Sequence, residues 1–546
     1  MSILPKSKAK SLVQKLDYHF RVQKSDTRKS LNAFISAAGD RPGFDQEIQE
    51  AIVRHENGPR KSSLDGSLIG VKDNICTLSE PTTCASAILE QFQSPFQADV
   101  VKRLEDHGAF VTGKTNLDEF GMGSHSINSH FGPVHNPRNR YGHLRSAGGS
   151  SGGSAVAVST QQRPIALGTD TGGSVRLPAA YNGIRGFKPS YGLLSRWGVV
   201  AYANSLDTVG LMARSDVAMY NAFRALLMAP FPKISSSPNT LVQDALRDPT
   251  VVERVAEAVV KRVAKAFSNS EYRVNLLRKF RIGVPKEYNT KEMDPSIRSV
   301  WLKGLQALQQ DGHSIHSVSL PTTQIALSAY YVIAAAEASS NLAKYDGVRY
   351  GKPRELASSG LASFAETRGL FFGQEVKRRI LLGSYTLSAG AIDNNFIKAQ
   401  KVRRLVQSDF NKVFRRSSPL VDRQNAIANE EGVDFLLTPT ATTLPPTLSS
   451  LSCKSSVDTF SDDVLTVPAS LAGLPAYSIP VYCNREHNRA YPELYHIGMQ
   501  VIGQYGDDMD VLCASAHFRN KITKILRESL GKRDPEDLDE HSIKNG

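Results

Sequence analysis

The sequence predicts an α/β fold, and three observations point there. Apolar runs at Ser67–Val71 and Ala109–Thr112 flank an amphipathic helix with Asp99 as its N-cap, a strand–helix–strand alternation. The alternation returns at Arg281–Val284, a helix opened by Asp294-Pro295, and Ser314–Val318. A chain of 546 residues, 40% hydrophobic and 22% charged, is long enough to bury a large sheet.

Taken in order, residues 1–30 form a basic segment. Lys6, Lys8, Lys10, Lys15, Arg21, Lys24, Arg28 and Lys29 face only Asp17 and Asp26, and Leu12, Val13, Leu16 and Phe20 make an apolar stripe. Such a start reads either as a mitochondrial targeting segment or as a surface-exposed first helix of the enzyme itself. Residues 30–66 read as helical, with a turn at Asn57–Pro59. In the Asp99 helix, Val100, Val101 and Leu104 face the core, and Gly108 lies past its end. Ile297, Trp301, Leu305 and Leu308 share one face of the Asp294 helix, which Gly312 stops. Asp434–Leu437 and Ala476–Val481 read as further buried strands. Near 232–275 a polar break precedes Val252, Val255, Val259 and Val263 at helical spacing. This is a core-packed surface helix or a basic helix for RNA. Residues 531–546 read as a polar tail.

The net charge of +13 suits contact with nucleic acid and equally an ordinary basic surface. Five cysteines without a C-x-x-C pair argue against a disulfide framework or a zinc site, and the histidines show no metal-ligand spacing. No run of apolar residues is long enough for a spanning helix.

Two stretches carry chemistry. Gly108–Thr115 matches the phosphate-loop pattern literally, but its intervening residues Ala109, Phe110, Val111 and Thr112 favour a strand. A strand leaves no loop to wrap a phosphate, so Lys114 reads as structural. The stronger candidate is Gly148–Pro178, GGSSGGSAVAVSTQQRPIALGTDTGGSVRLP, with glycine–serine loops at Gly148–Ser154 and Gly172–Ser174. A flexible linker would not enclose apolar runs or close on Asp170, Arg176 and Pro178. Glycine-dense backbone can present its N–H groups to a ligand. A serine nucleophile needs a base, and neither loop contains a histidine. Lys72, at the end of the Ser67–Val71 strand, serves if burial keeps it neutral; alone, Lys72-Asp73-Asn74 would read as a solvated turn.

This stretch resembles the amidase signature family position by position, and IGVKDN resembles that family's lysine motif. The resemblance runs from about Leu31 to about Ile525. VKDNICTLSEPTTCASAILEQF, GKTNLDEFGMGS, NSLDTVG, YYVIAAAEASSNLAKYDGVRYG and FGQEVKRRILLGSYTLSAG resemble the amidotransferase A subunits within it. At Ala391-Ile392 the chain departs from the family's usual aromatic pair.

The resemblance implies a large mixed sheet covered by helices on both faces, spanning residues 31–530. It implies a Ser174 nucleophile, a bridging Ser150 after a cis peptide, a Lys72 base, and an oxyanion hole from the N–H groups of Thr171, Gly172, Gly173 and Ser174. It also implies Arg379 for a substrate carboxylate, Asp463 for an ammonium, and Tyr330 lining the pocket. Neighbouring Arg378 and Asp462 leave the register open by one, and a surface ion pair is the alternative for each.

The implied activity is glutamine hydrolysis that supplies ammonia for converting Glu-tRNA(Gln) to Gln-tRNA(Gln). A B-type subunit would handle ATP, Mg and the tRNA, a small C-type subunit or its equivalent would assist, and this chain would need no cofactor. A stand-alone amidase and a catalytically dead tRNA-holding subunit are the other readings. The intact Lys72, Ser150 and Ser174 oppose the second of these.

Overall fold

The computed structural model describes residues 7–24, 30–36, 43–138, 143–228, 278–352, 363–421, 429–453, 461–482 and 496–528. The expected helical insertion near 232–275 and the 531–546 tail lie outside the described residues.

Among the described residues, eleven strands form one mixed sheet. They are β1 (Phe34–Ser36), β2 (Leu68–Lys72), β3 (Phe110–Thr115), β4 (Ile165–Asp170), β5 (Arg185–Lys188), β6 (Thr208–Ala213), β7 (Arg281–Pro285), β8 (Ser314–Val318), β9 (Phe435–Pro439), β10 (Ala476–Tyr482) and β11 (His496–Ile502). Their order is β1-β3-β2-β4-β6-β5-β10-β11-β9-β7-β8. Parallel trios, β3-β2-β4 and β9-β7-β8, lie to either side of an antiparallel centre.

The helices that matter for the site are α1 (Ser7–Lys24), α2 (Phe44–Asn57), α3 (Asp99–Asp106), α4 (Gly152–Ser159), α5 (Arg176–Asn182), α6 (Asp216–Met228), α7 (Pro295–Gln310), α8 (Ala326–Leu342), α9 (Gln374–Thr386) and α10 (Asp508–Glu528). Strand alternation assigns them to two faces. On one face Ala166 and Met212 pack with Ala155 and Val158 of α4 and Ala179 of α5. On the other, Leu167 and Leu211 join the main core with Phe223 of α6, Val101 of α3, and Phe518 of α10. The mixed sheet with helices on both faces is therefore the observed architecture.

Three local expectations need correction. Residues 30–66 are not helical throughout: β1 forms an antiparallel edge against β3, and among the described residues of this stretch the helix is Phe44–Asn57. Asp99 is the first residue of α3 rather than its N-cap; the extended backbone of Ala98 takes the cap position, and the Asp99 carboxylate instead accepts the Ser195 hydroxyl at 2.6 Å. The first glycine–serine loop is shorter than Gly148–Ser154, since α4 already begins at Gly152. By contrast Asp294 caps α7, its side chain accepting the Ser296 N–H at 2.8 Å. The phosphate-loop match lies in β3, where Lys114 is fully buried and 3.1 Å from Asp73.

The basic N-terminal segment contains a packed helix. Leu12 and Leu16 of α1 join Phe44, Ala51, Leu68 and Phe110 in a buried cluster. Arg163 donates to Gln23 at 2.7 Å. This packing fits the reading of a first helix of the enzyme. Among the described residues, no helix is long and apolar enough to cross a membrane.

Candidate active site

The parallel trio places Lys72 at the carboxyl end of β2, beside β3 and β4, where α/β sheets gather functional residues. Its five residues are all buried, as the apolar run LIGV requires. The Lys72 ammonium nitrogen lies 2.8 Å from Ser150 Oγ and 2.9 Å from Thr169 Oγ1. Lys72 is fully buried, and burial lowers its pKa from 10.5 to about 7, against the opposing charges of Asp118, Asp170 and Asp207. A lysine so placed can take a proton near neutrality.

Ser150 follows a cis Gly149–Ser150 peptide. Asp118 holds the surrounding turn: its carboxylate accepts the N–H groups of Ser126, Ile127 and Asn128 at 2.8–3.0 Å. The Asp118 N–H in turn donates to the Ser150 carbonyl at 3.2 Å. A Cβ on Gly149 would collide with Asp118 and with the backbone of Ser124-His125, so only glycine fits there.

The second loop lies directly behind the first. The Ser151 N–H donates to the Ser174 carbonyl at 3.1 Å. Ser174 is 8% exposed, enough to meet a small ligand while staying out of bulk water. Among the described residues, the N–H groups of Thr171, Gly172, Gly173 and Ser174 donate to no protein acceptor. Four consecutive unspent donors beside a buried serine make an anion-binding nest.

Two carboxylates shape that nest. Asp170 accepts the Val175 N–H and is paired with Arg176 at 2.8 Å. Burial raises the Asp170 pKa, but Arg176, Lys188 and the Val175 N–H together outweigh it and hold the carboxyl below its ordinary value. Arg176 also donates to the carbonyls of Thr466 and Gly172 and to Gln500 and Ser470. Asp207 accepts the Thr171 hydroxyl at 2.8 Å and the N–H groups of Tyr202 and Ala203. Its surroundings raise its pKa to about 6, mainly by burial.

The remaining predicted residues gather on the open side of the same loop. A Cβ on Gly172 would fall 2.7 Å from the Tyr330 ring, and one on Gly173 would strike Thr466, with Asp463 Oδ1 at 3.2 Å. The two glycines thus let Tyr330 of α8 and the Asp463 turn close over the nest. Helix α9 separates the two arginines: Arg379 is buried and Arg378 points outward. Arg379 donates to Glu375 at 2.7 Å and to the Tyr202 hydroxyl, and lies over the rings of Tyr202 and Tyr331. Asp463 accepts the Ser124 hydroxyl at 2.6 Å, whereas Asp462 faces His125 at 3.1 Å. Burial raises the Asp463 pKa to about 6; Asp462 adds to this, and Ser124, His125 and Arg379 oppose it. A buried cationic and a buried anionic side chain therefore lie near enough to influence each other, a pairing that suits an amino-acid zwitterion.

Sequence reasoning did not assign Thr169, Asp118, Asp207, Ser124, His125, Tyr202 or Glu375. Asp118 and Asp207 stand in the GKTNLDEFGMGS and NSLDTVG segments, and that context is the signal that could have found them.

One titratable cluster lies elsewhere. Asp311, His313 and His517 bring ligand atoms within 4.8 Å of one another. His313 Nδ1 accepts the Phe280 N–H at 3.0 Å, so the neutral ring carries its proton on Nε2, facing Asp311. Lys521 lies 2.6 Å from the same carboxylate. A protonated ring nitrogen and a nearby ammonium fit a hydrogen-bonded ion cluster rather than a metal site.

Residues 22–512 match the family model described as Amidase. The chain is 53% identical over 496 residues to the A subunit of the mitochondrial glutamyl-tRNA(Gln) amidotransferase of Coccidioides posadasii, covering 88% of this chain and 94% of that protein. The corresponding mitochondrial A subunit of Emericella nidulans is 49% identical, with 90% of this chain and 96% of that one covered. Among solved structures, the glutamyl-tRNA(Gln) amidotransferase A subunit of Thermotoga maritima superposes with a TM-score of 0.66 at 30% identity, covering 94% of both chains. A structure described as an amidase superposes with a TM-score of 0.69 at 24% identity, a likeness of fold.

Proposed function

The chain belongs to the amidase family, and from that premise we propose how its site hydrolyses glutamine and supplies ammonia for conversion of Glu-tRNA(Gln) to Gln-tRNA(Gln). The observation that carries the mechanism is the 2.8 Å contact between buried Lys72 and Ser150, beside a nest of four unspent N–H groups.

Glutamine enters with its carboxylate toward Arg379, its ammonium toward Asp463 and its stem against Tyr330. Ser174 Oγ attacks the side-chain amide carbon. Its proton passes to Ser150 Oγ, whose own proton moves to neutral Lys72. The new oxyanion accepts N–H groups from Thr171, Gly172, Gly173 and Ser174. Collapse expels ammonia, with the proton returning by the same relay, and leaves an ester on Ser174. Water then repeats the sequence to release glutamate.

The product ammonia needs a consumer, and the chain belongs to a multi-subunit amidotransferase. We assign the amidation step, with its ATP and Mg, to a B-type subunit, assisted by a small C-type subunit or its equivalent; this chain holds no cofactor of its own. Its relatives are mitochondrial proteins, and it works in the mitochondrion, for which we propose the matrix.

Ser174→Ala in the assembled complex tests the nucleophile. Ammonia release should fall by about 10³-fold or more while glutamine still binds. Near wild-type release would sink the assignment. Comparing glutamine with simple aliphatic amides tests the substrate: a stand-alone amidase would not favour glutamine.

A further inference from the structure

The ammonium subsite contains a problem of like charges. Asp462 and Asp463 are adjacent in a single tight turn, Ser461–Asp463, and both are buried. Two carboxylates this close in a low-dielectric setting do not both ionise readily. A subsite for an ammonium nevertheless needs Asp463 charged. The two side chains have different partners. Asp463 accepts the Ser124 hydroxyl at 2.6 Å. Asp462 lies 3.1 Å from His125 Nε2, with the Thr443 hydroxyl donating to its other oxygen at 3.3 Å. The neighbouring residues Ser124 and His125 therefore divide the two aspartates between them.

His125 is itself fixed in place. It is 2% exposed, and its Nδ1 lies 3.0 Å from Ser146 Oγ, which accepts the Gly148 N–H at 2.9 Å. Gly148 begins the loop that carries Ser150. The imidazole thus bridges the ammonium subsite and the base of the first loop.

We propose that His125 is a positioning residue for substrate binding: by pairing with Asp462 it leaves the Asp463 carboxylate charged for the substrate's α-ammonium. The charged and titratable groups facing this pair are Asp118 beside His125, Arg379 across the pocket, and Tyr181, Tyr330 and Tyr331 around the aspartates. None of the tyrosines is a cation. Arg379 is already engaged with Glu375 and Tyr202. Loss of His125 would leave the Asp462 carboxylate without this partner, and its neighbour Asp463 would take up a proton. Binding of a zwitterion would weaken, while the Ser174–Ser150–Lys72 relay would be untouched.

The inference rests on the reading of Asp463 as the ammonium partner, and the test separates the two. Steady-state glutaminase kinetics are measured on the assembled complex with two substrates. One is glutamine. The other is glutaramic acid, which keeps the carboxylate and the amide but lacks the ammonium. His125→Ala should raise KM for glutamine about tenfold, with kcat changed less than about threefold. KM for glutaramic acid should not move. Asp462→Asn in the His125→Ala background removes the competing charge and should restore KM for glutamine. His125→Gln, which keeps a hydrogen-bond donor but not the imidazole ring, should fall between wild type and His125→Ala.

An unchanged KM in His125→Ala, an equal rise for both substrates, or no rescue by Asp462→Asn would overturn the proposal. A folding defect would give no selective rescue and so counts against it too. Asp463→Asn checks the underlying reading. If it leaves KM for glutamine unchanged, the ammonium assignment itself fails. If it raises KM while His125→Ala does not, only the role of His125 fails.

Discussion

In the proposed mechanism Lys72 is the residue on which the chemistry turns, and its burial has two opposite consequences. With a pKa lowered to about 7 chiefly by desolvation, it is protonated and inactive in acid and neutral above. The pH profile of kcat for ammonia release should therefore rise through about pH 7 and then level. A profile flat from pH 5 to 9 would remove Lys72 as base. The same depressed pKa makes the folded state bind fewer protons than the unfolded state between about 7 and 10.5, so this group costs stability below that window and the cost fades as pH rises through it. Lys72→Met should abolish activity and yet stabilise the fold at pH 7 by roughly 1–3 kcal/mol, read from denaturant midpoints. Lys72, Ser150 and Ser174 were legible in sequence because each sits in a contiguous motif. His125 and Asp207 were not, because their partners Asp462 and Thr171 are distant in the chain and meet only after folding.

At the scale of elements, the nest is a close fit between α8, the Asp463 turn and the strand end of β4. Gly172 has no room for a side chain, since its Cβ would enter the Tyr330 ring. Gly172→Ala should push the ring or the loop aside, lowering kcat/KM by about 100-fold at a stability cost of about 1–3 kcal/mol. Activity within twofold of wild type would show that the loop does not hold the oxyanion. The strand–helix alternation was readable from apolar periodicity, and the α7 cap from Asp294-Pro295. The α3 cap was misjudged because Asp99 looks inviting in sequence, while its carboxylate is engaged by Ser195 from a loop almost a hundred residues away. The sequence pointed to Arg379 but left the register open by one, as VKRRI becomes directional only when α9 turns one face to Tyr202 and Tyr331.

For the whole molecule, the single mixed sheet means that the catalytic residues come from its β2–β4 end, while Asp463 and the Gln500 brace on Arg176 come from the region around β10 and β11. Fold class was legible because it depends on a pattern repeated along the chain. The central antiparallel strands β5, β6 and β11 were not identified, because short runs such as RGFK and TVGLMA carry no alternation that separates them from buried loops. The N-terminal segment tests how the molecule is completed. Leu16 is 5% exposed within the α1–α2 cluster. Leu16→Ala should lower unfolding stability by about 2–4 kcal/mol while leaving kcat unaltered. No loss of stability in the protein purified from mitochondria would mean that this helix is not part of the working enzyme.

The sealing of Lys72 has one more consequence, concerning where hydrogen atoms travel. Lys72 is 0% exposed and Ser150 is 1% exposed, so the hydrogen taken from Ser174 has no ready exit to bulk water before it is needed again. The proposed relay would then be a closed circuit, and the hydrogen delivered to departing ammonia one the enzyme kept in store. Such a circuit draws nothing from dissolved acids or bases. At fixed pH and ionic strength, the acylation rate should be independent of buffer concentration, whereas an open relay would run faster as buffer is added.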